Sequence, residues 1–339
     1  DDFILDGQER FDDSDNDVTS LGLRMNAAIG VGTLGAGTAN SIETNVNTVS
    51  AHATSGGIYI LEAKGVTVDA VTVSIHRVAV NALTSDITDA LQSDLTTTSG
   101  DGSIVLRTTQ GNITLNDGAA PAVGSHNGTA VSANGRGSVL LDAADDVEIN
   151  ANVLSGTGHI TVVVGDDVDQ NADILTIGGS ILVSAANGTA DAISGIDMQS
   201  GTKTSTGSTT GGNIILLSTG ESDVKLGLLE GGTGLVSIEA ERNILDDNDQ
   251  TTAGTLNITA AILRIVADSN GNSTGIIGGS ATGNGTPSAN VNAIDISVNT
   301  IAARSATGIY LQEFNAIEVN ATGAIAVSQV TSNGTTSFL

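Results

Sequence analysis

The sequence predicts an all-β chain wound as a right-handed parallel β-helix, a β-solenoid with coils of about 21 residues. Three observations carry that prediction. Short apolar strands led by glycine recur at nearly constant spacing, the composition offers a thin aliphatic interior with few rings, and no segment sustains a 3.6-residue hydrophobic period. Among 339 residues there are 43 Gly, 2 Pro, no Cys and no Trp, with 2% aromatic and 39% hydrophobic residues. A compact domain of this length centres on bulky rings, whereas a stack of coils fills a narrow interior with Val, Ile, Leu and Ala. Without Cys there are no disulfide staples, thiolate metal sites or thiol nucleophiles, so stacking must supply the stability.

The coil motif is a glycine followed by apolar residues at i and i+2. It recurs as Gly102-Ser103-Ile104-Val105-Leu106, Gly137-Ser138-Val139-Leu140-Leu141, Gly158-His159-Ile160-Thr161-Val162, Gly179-Ser180-Ile181-Leu182-Val183, Gly212-Asn213-Ile214-Ile215-Leu216 and Gly234-Leu235-Val236-Ser237-Ile238. Glycines 137, 158 and 179 are 21 residues apart, which predicts that Ile104, Val139, Ile160, Ile181, Ile214 and Val236 point inward on one stacked face. A second strand is phased with the first: Asp145-Asp146-Val147 and Asp166-Asp167-Val168, with Ser222-Asp223-Val224 at nearly the same place in its coil. Strands this short suit a parallel solenoid, where each pairs with its equivalent one coil away. Between glycines 179 and 212 the step is longer, and polar Gly201 to Thr210 is expected to bulge as a loop. Ile87 to Leu95 comes nearest to a helix. A single elongated solenoid of about 14 to 16 coils, on the order of 65 to 80 Å long, is expected.

A longer repeat overlies the coils. Ile4-Leu5-Asp6 returns as Ile244-Leu245-Asp246, and Val18 to Met25 as Ile258 to Ile265, both 240 residues later. Ile42 to Val49 returns as Ile294 to Ile301, and Gly57-Ile58-Tyr59-Ile60-Leu61-Glu62 as Gly308-Ile309-Tyr310-Leu311-Gln312-Glu313. The chain thus reads as a first module, 1–240, and the start of a homologous second, 241–339. Neither terminus resembles a cap, and with no initiator Met or signal peptide at Asp1-Asp2-Phe3 an internal or processed piece of a longer array is expected.

Strands of the Gly111-Asn112-Ile113-Thr114-Leu115 type, alternating with Ile42-Glu43-Thr44-Asn45-Val46 and Gly56-Gly57-Ile58-Tyr59-Ile60, resemble the repeat regions of giant bacterial surface proteins of the filamentous haemagglutinin-like class. The resemblance covers essentially the whole chain and identifies an architecture more than a protein. It implies a secreted, extracellular or cell-surface protein, built as a β-helical rod and acting as a fibre, matrix component or adhesin. These 339 residues are not expected to include the N-terminal secretion domain or outer-membrane anchor of that class.

Charge narrows the partners. With 38 acidic against 11 basic residues the net charge is −27, which opposes binding to nucleic acid phosphates or an anionic membrane. No apolar run reaches the length of a membrane-spanning helix, so no membrane insertion is expected. Self-association into a fibre is the expected partnership, and an adhesin shaft with a glycan or cell-surface contact is the alternative. Calcium is the candidate cation. The run Asp12-Asp13-Ser14-Asp15-Asn16-Asp17 offers alternate carboxylates Asp13, Asp15 and Asp17, and Asp246, Asp247 and Asp249 form a matching cluster in the second module. Val18 stands where an EF-hand needs its turn glycine, so this is not that motif.

Catalysis is not expected. β-Helices include polysaccharide lyases and hydrolases, and the pairs Asp145/Asp146 and Asp166/Asp167 supply carboxylates, but the sequence offers few rings to stack on a sugar. Recurrence of those pairs at coil spacing favours a turn-forming role. The histidines His52, His76, His126 and His159 show no metal-ligand spacing and are expected at the surface or in turns. Gly30 to Gly35 is not followed by a helix, which argues against a phosphate loop. Eight Asn-x-Ser/Thr sequons, at Asn112, Asn127, Asn187, Asn257, Asn272, Asn284, Asn320 and Asn333, leave glycosylation open at loops.

Overall fold

The computed structural model describes residues 3–6, 15–34, 40–118, 128–186, 195–209, 211–248, 256–279, 293–323, 325–332 and 336–338. These residues form a parallel β-solenoid with three strands per coil and no helix. Face A stacks Ile58–Glu62, Ile104–Thr108, Val139–Ala143, Ile160–Val164, Ile181–Ala185, Ile214–Ser218 and Leu235–Ala240. Face B stacks Val66–Val68, Ile113–Leu115, Val147–Ile149, Val168–Gln170, Gly195–Met198, Asp223–Leu226 and Ile244–Asp246. Face C stacks Leu95–Thr97, Thr129–Ala133, Asn152–Ser155, Ile174–Leu175, Lys203–Ser205 and Leu228–Glu230. The register joins Ile104, Val139, Ile160, Ile181, Ile214 and Val236 in one file, and all six are fully buried.

The corner before face A explains the glycines. A Cβ on Gly102, Gly137, Gly158, Gly179, Gly212 or Gly234 would overlap the carbonyl oxygen of the corner glycine one coil earlier. Backbone therefore lies directly on backbone from coil to coil, an approach only glycine permits. Buried hydroxyls at the close of face C use the same carbonyls: Ser155 Oγ donates to Gly137 O and Thr176 Oγ1 to Gly158 O, each at 2.8 Å. Inside, aliphatic side chains from the three faces form one continuous core, and no aromatic ring of the described residues belongs to it.

Two expectations are corrected. Gly201 to Thr210 is not a loop throughout: Lys203–Ser205 is a face C strand, with Thr204 Oγ1 donating to Gln170 Oε1 (3.0 Å) and Ser205 Oγ to Glu230 Oε2 (2.9 Å) inside or at the edge of the coil, while Thr210 lies outside the described residues. Alternating Thr and Ser can enter the interior because partners for their hydroxyls wait there. The rod is also shorter than expected. Among the described residues face A and its extensions carry twelve rungs, from Phe3–Ile4 to Glu318–Val319, giving about 53 Å at one strand spacing per step. Excursions from the coils consume the difference. One is a hairpin, Ser74–Val78 paired with Thr84–Thr88; its second strand holds the first two residues of the Ile87 to Leu95 region, none of which is helical.

The longer repeat appears as repeated pairing. Ile4, Val31 and Ile58 stack as Ile244, Ile277 and Ile309 do, and Ile42 pairs with Ile60 as Ile294 does with Leu311. Buried Glu62 accepts the Val46 N–H (3.1 Å) and the Thr44 hydroxyl (2.7 Å), and its counterpart Glu313 accepts the Val298 N–H (3.3 Å). Yet the first set leads into face A and the second continues face B, so the repeat is not a whole number of coils.

The glycine corner generates a direct test. Gly158→Ala should destabilise the chain by about 2 kcal/mol or more in denaturant melts, because the overlapping neighbour is backbone and cannot swing away. Gly323→Ala, where nothing lies within 4 Å, should be near neutral. Ile160→Asp should cost more than about 4 kcal/mol, since the interior offers its charge no partner.

Candidate functional site

Polar side chains concentrate at the corners, where they form files along the rod. At the corner leading into face B, Asn112 Nδ2 donates to Asp146 Oδ2 (2.9 Å), the Asp167 N–H to Asp146 Oδ1 (3.1 Å) and the Gly195 N–H to Asp167 Oδ1 (2.5 Å). Past face B, Asn116 Nδ2 donates to Asp69 Oδ2, Asn150 Nδ2 to Asn116 Oδ1 and Asn171 Nδ2 to Asn150 Oδ1, at 3.1, 3.2 and 2.9 Å. The turn-forming role expected of the Asp pairs is thus refined. The oxygens of Asp146 and Asp167 serve donors one coil away, so these two fix the stacking of coils rather than the shape of one turn.

Asp146, Asp166 and Asp167 come together here, with one oxygen from each within 4.8 Å of the others, a spacing a hard cation could span. They are the one such group of three among the described residues. The expected calcium ligands lie elsewhere. Asp13 and Asp249 fall outside the described residues; Asp15 and Asp17 are exposed, and Asp17 Oδ2 accepts the Glu43 N–H (3.0 Å). Asp246 Oδ1 accepts the Asn248 N–H (2.8 Å) and Asn257 Nδ2 (2.7 Å), and Asp247 is partly buried beside it.

Outside face B, Glu148, Asp169, Asp197 and Lys225 occupy successive rungs. Asp169 still reaches solvent. Partial desolvation, followed by the charges of Asp197, Glu148 and Asp146, holds its carboxyl above the usual range, and Lys225 opposes the shift. Lys225 itself is paired with Asp197, Arg107 with Asp142 (2.8 Å), Arg264 with Glu239 (2.8 Å) and Arg242 with Asp223 through two bonds of 2.8 Å. Donating to Asp223 raises the Arg242 pKa further. These cations are committed to neighbouring coils and form no phosphate-binding patch.

His159 stands in a file with Ser103, Ser138 and Ser180, and Asn213 follows them. The Ser138 N–H donates to Ser103 Oγ (3.1 Å), the His159 N–H to Ser138 Oγ (3.1 Å) and the Ser180 N–H to His159 Nδ1 (2.9 Å). Half-burial lowers its pKa, which suits a ring nitrogen that must stay unprotonated to accept. His52 contacts Asn26 (3.3 Å), His76 pairs with Asp86 (2.5 Å) on the hairpin, and His126 lies outside the described residues. Of the sequons, Asn257 is 1% exposed and bonded inside the coil, so it cannot carry a glycan.

A groove of about 840 Å³ runs along the outside of face C. Its floor is the file His52, Thr96, Ser132, Leu154 and Leu175, and its wall is Leu91 to Asp94, the segment that returns from the hairpin. Hydroxyls and amides dominate the lining, and Asp94 is its one carboxylate among the described residues. Glycoside hydrolysis by paired carboxylates would need a second. Sequence reasoning did not find this groove, because its wall arrives from an excursion whose destination no periodicity records.

No family model, curated protein or solved structure matches this chain.

Two outcomes follow from these files. His159 has a folded-state pKa below its unfolded one, so the stability it provides is present above about pH 6.5 and is lost as pH falls through the folded value. Thermal melts from about pH 7 to about pH 5 should therefore fall more steeply for the wild type than for His159→Ser, which restores the file's usual residue. Calcium at either acidic corner should raise the melting temperature, and excess chelator should reverse the rise; identical melts in calcium and chelator would remove calcium from the account.

Proposed function

We propose that this chain is a structural rod segment that stacks end to end with like coils to build an extracellular fibre, sheath or matrix. The distribution of exposed apolar side chains carries the reading. Sixteen large hydrophobics are exposed among the described residues. Phe3, Leu5 and Leu21 lie at one end of the stack, and Ile309, Tyr310, Phe314, Ile317 and Val319 at the other; seven more lie on or beside the projecting hairpin and only Ile177 elsewhere. Clustered apolar surface of this kind marks interaction sites, and a terminal rung also presents unpaired strand edges. Contact of one end with the other is heterologous and propagates without closing. Filamentous haemagglutinin-like proteins, which the coil motifs resemble, are rods of this general kind, and the acidic surface suits a salt-bathed exterior.

The groove on face C favours a second reading, the shaft of an adhesin. A hydroxyl- and amide-lined trough suits a neutral glycan better than a charged polymer.

Light scattering and negative-stain microscopy separate the two. End-to-end stacking predicts rods lengthening in steps of one molecule, and lengthening further as salt screens the net charge of −27. Ile309→Asp with Val319→Asp should leave single particles, since each charge would be buried at the junction. A wild-type chain that stays monomeric at high concentration and high salt would reject the fibre and leave the shaft.

A further inference from the structure

The second module shows what the first rungs of the chain lack. Ile4 and the strand Val18–Ala27 correspond to Ile244 and the strand Ile258–Ala267, 240 residues on. The later set rests on a complete coil. Ile244 stacks on Val224, Ile258 on Leu229 and residues 262–267 on the strand Leu235–Ala240, while the Ala261 N–H donates to Gly234 O (2.9 Å). Among the described residues no strand pairs beneath the earlier set, and its side chains register the difference. Ile4, Val18 and Leu23 are half-buried where Ile244, Ile258 and Leu263 are fully buried, and Ser20 is exposed where Ala260 is buried.

Arg24 makes the vacancy specific. Its counterpart Arg264 donates through Nη1 to Glu239 Oε2 (2.8 Å) and Ser237 Oγ (3.2 Å), both on the coil beneath. Arg24 Nε is buried, yet it has no hydrogen-bond partner. A guanidinium N–H shielded from water and left without an acceptor is costly, and the acceptors its counterpart uses belong to a coil that this end does not have. Any apolar rung could cover Ile4, Val18 and Leu23. Only one with an acceptor at the right place also satisfies Arg24.

We propose that the N-terminal end of the rod is a docking surface for one kind of partner, the closing coil of a like module, built as residues 223–240 are and offering Arg24 a carboxylate where Glu239 meets Arg264. In this chain that coil lies beneath its own second module, so the partner coil is its counterpart at the free end of another module. The inference rests on the end-to-end reading for the stacking itself, and adds which coil is taken and what charge selects it.

An extended chain tests the fit. Placing a copy of residues 128–240 directly ahead of the full chain keeps the offset of 240, so the closing coil comes to lie beneath Val18–Ala27, a strand that still occurs once. Hydrogen exchange of the Val18–Ala27 amides should slow by about tenfold or more relative to the full chain alone. Arg24→Glu should return about threefold of that protection, and Glu239→Arg in the added copy should restore it. Exchange no slower than in the full chain alone would overturn the docking surface, and protection indifferent to both charge reversals would overturn its selection by Arg24. Should the added copy fail to fold, residues 1–240 replace it with only the full chain isotopically labelled, and no protection there overturns the surface equally. Full chains that lengthen into rods while the extended chain shows no protection would keep the end-to-end reading and reject this one. Protection in the extended chain, with full chains that never lengthen, would reject that reading and keep the docking surface.

Discussion

Close approach of backbone to backbone at one corner of every coil is the constraint from which the rest of this structure follows. Once a glycine lies on the carbonyl of the glycine before it, rungs must stack in register and the interior can be only as wide as three short strands allow. Ile, Val, Leu and Ala fill that width. A ring would not, which is why a chain with a substantial hydrophobic fraction is so poor in aromatic residues. The buried hydroxyls that bond the corner carbonyls belong to the same solution, because a tight corner leaves oxygens that need donors.

Polar chemistry is arranged along the rod rather than within a coil. Asparagine, aspartate and serine files, and the single histidine that interrupts one of them, connect each rung to the next. Each exposed ion pair contributes little alone. Their common direction matters more, since cross-coil partners oppose slippage of rungs. The same geometry stacks like charges, and after desolvation the charges of Asp197 and Glu148 add to the rise in the Asp169 pKa.

The long repeat and the coil are out of phase. The stack from Ile4 through Ile58 feeds face A, whereas its counterpart from Ile244 through Ile309 grows on face B. Successive modules are thus turned about the rod axis. A feature repeated once per module, such as a hairpin, then presents itself in a new direction each time, and the second hairpin, Ser328–Val330 paired with Thr336–Phe338, reaches face A of the first module for that reason.

The sequence by itself determined the parallel coil stack, the inward file from Ile104 to Val236, the phased second strand and the recurrence of Glu62 as Glu313. Each is written in local spacing, because inward residues alternate at i and i+2 and rungs repeat at the coil length. Tertiary structure decided whatever an excursion touches. Val105, Leu140 and Leu182 follow the outward phase and should be wet, yet a segment over a hundred residues away covers them. The groove wall arises in the same way. Periodicity tells which side of the sheet a residue faces; what lies against that side depends on chain returning from far along the sequence, and no local pattern encodes that return.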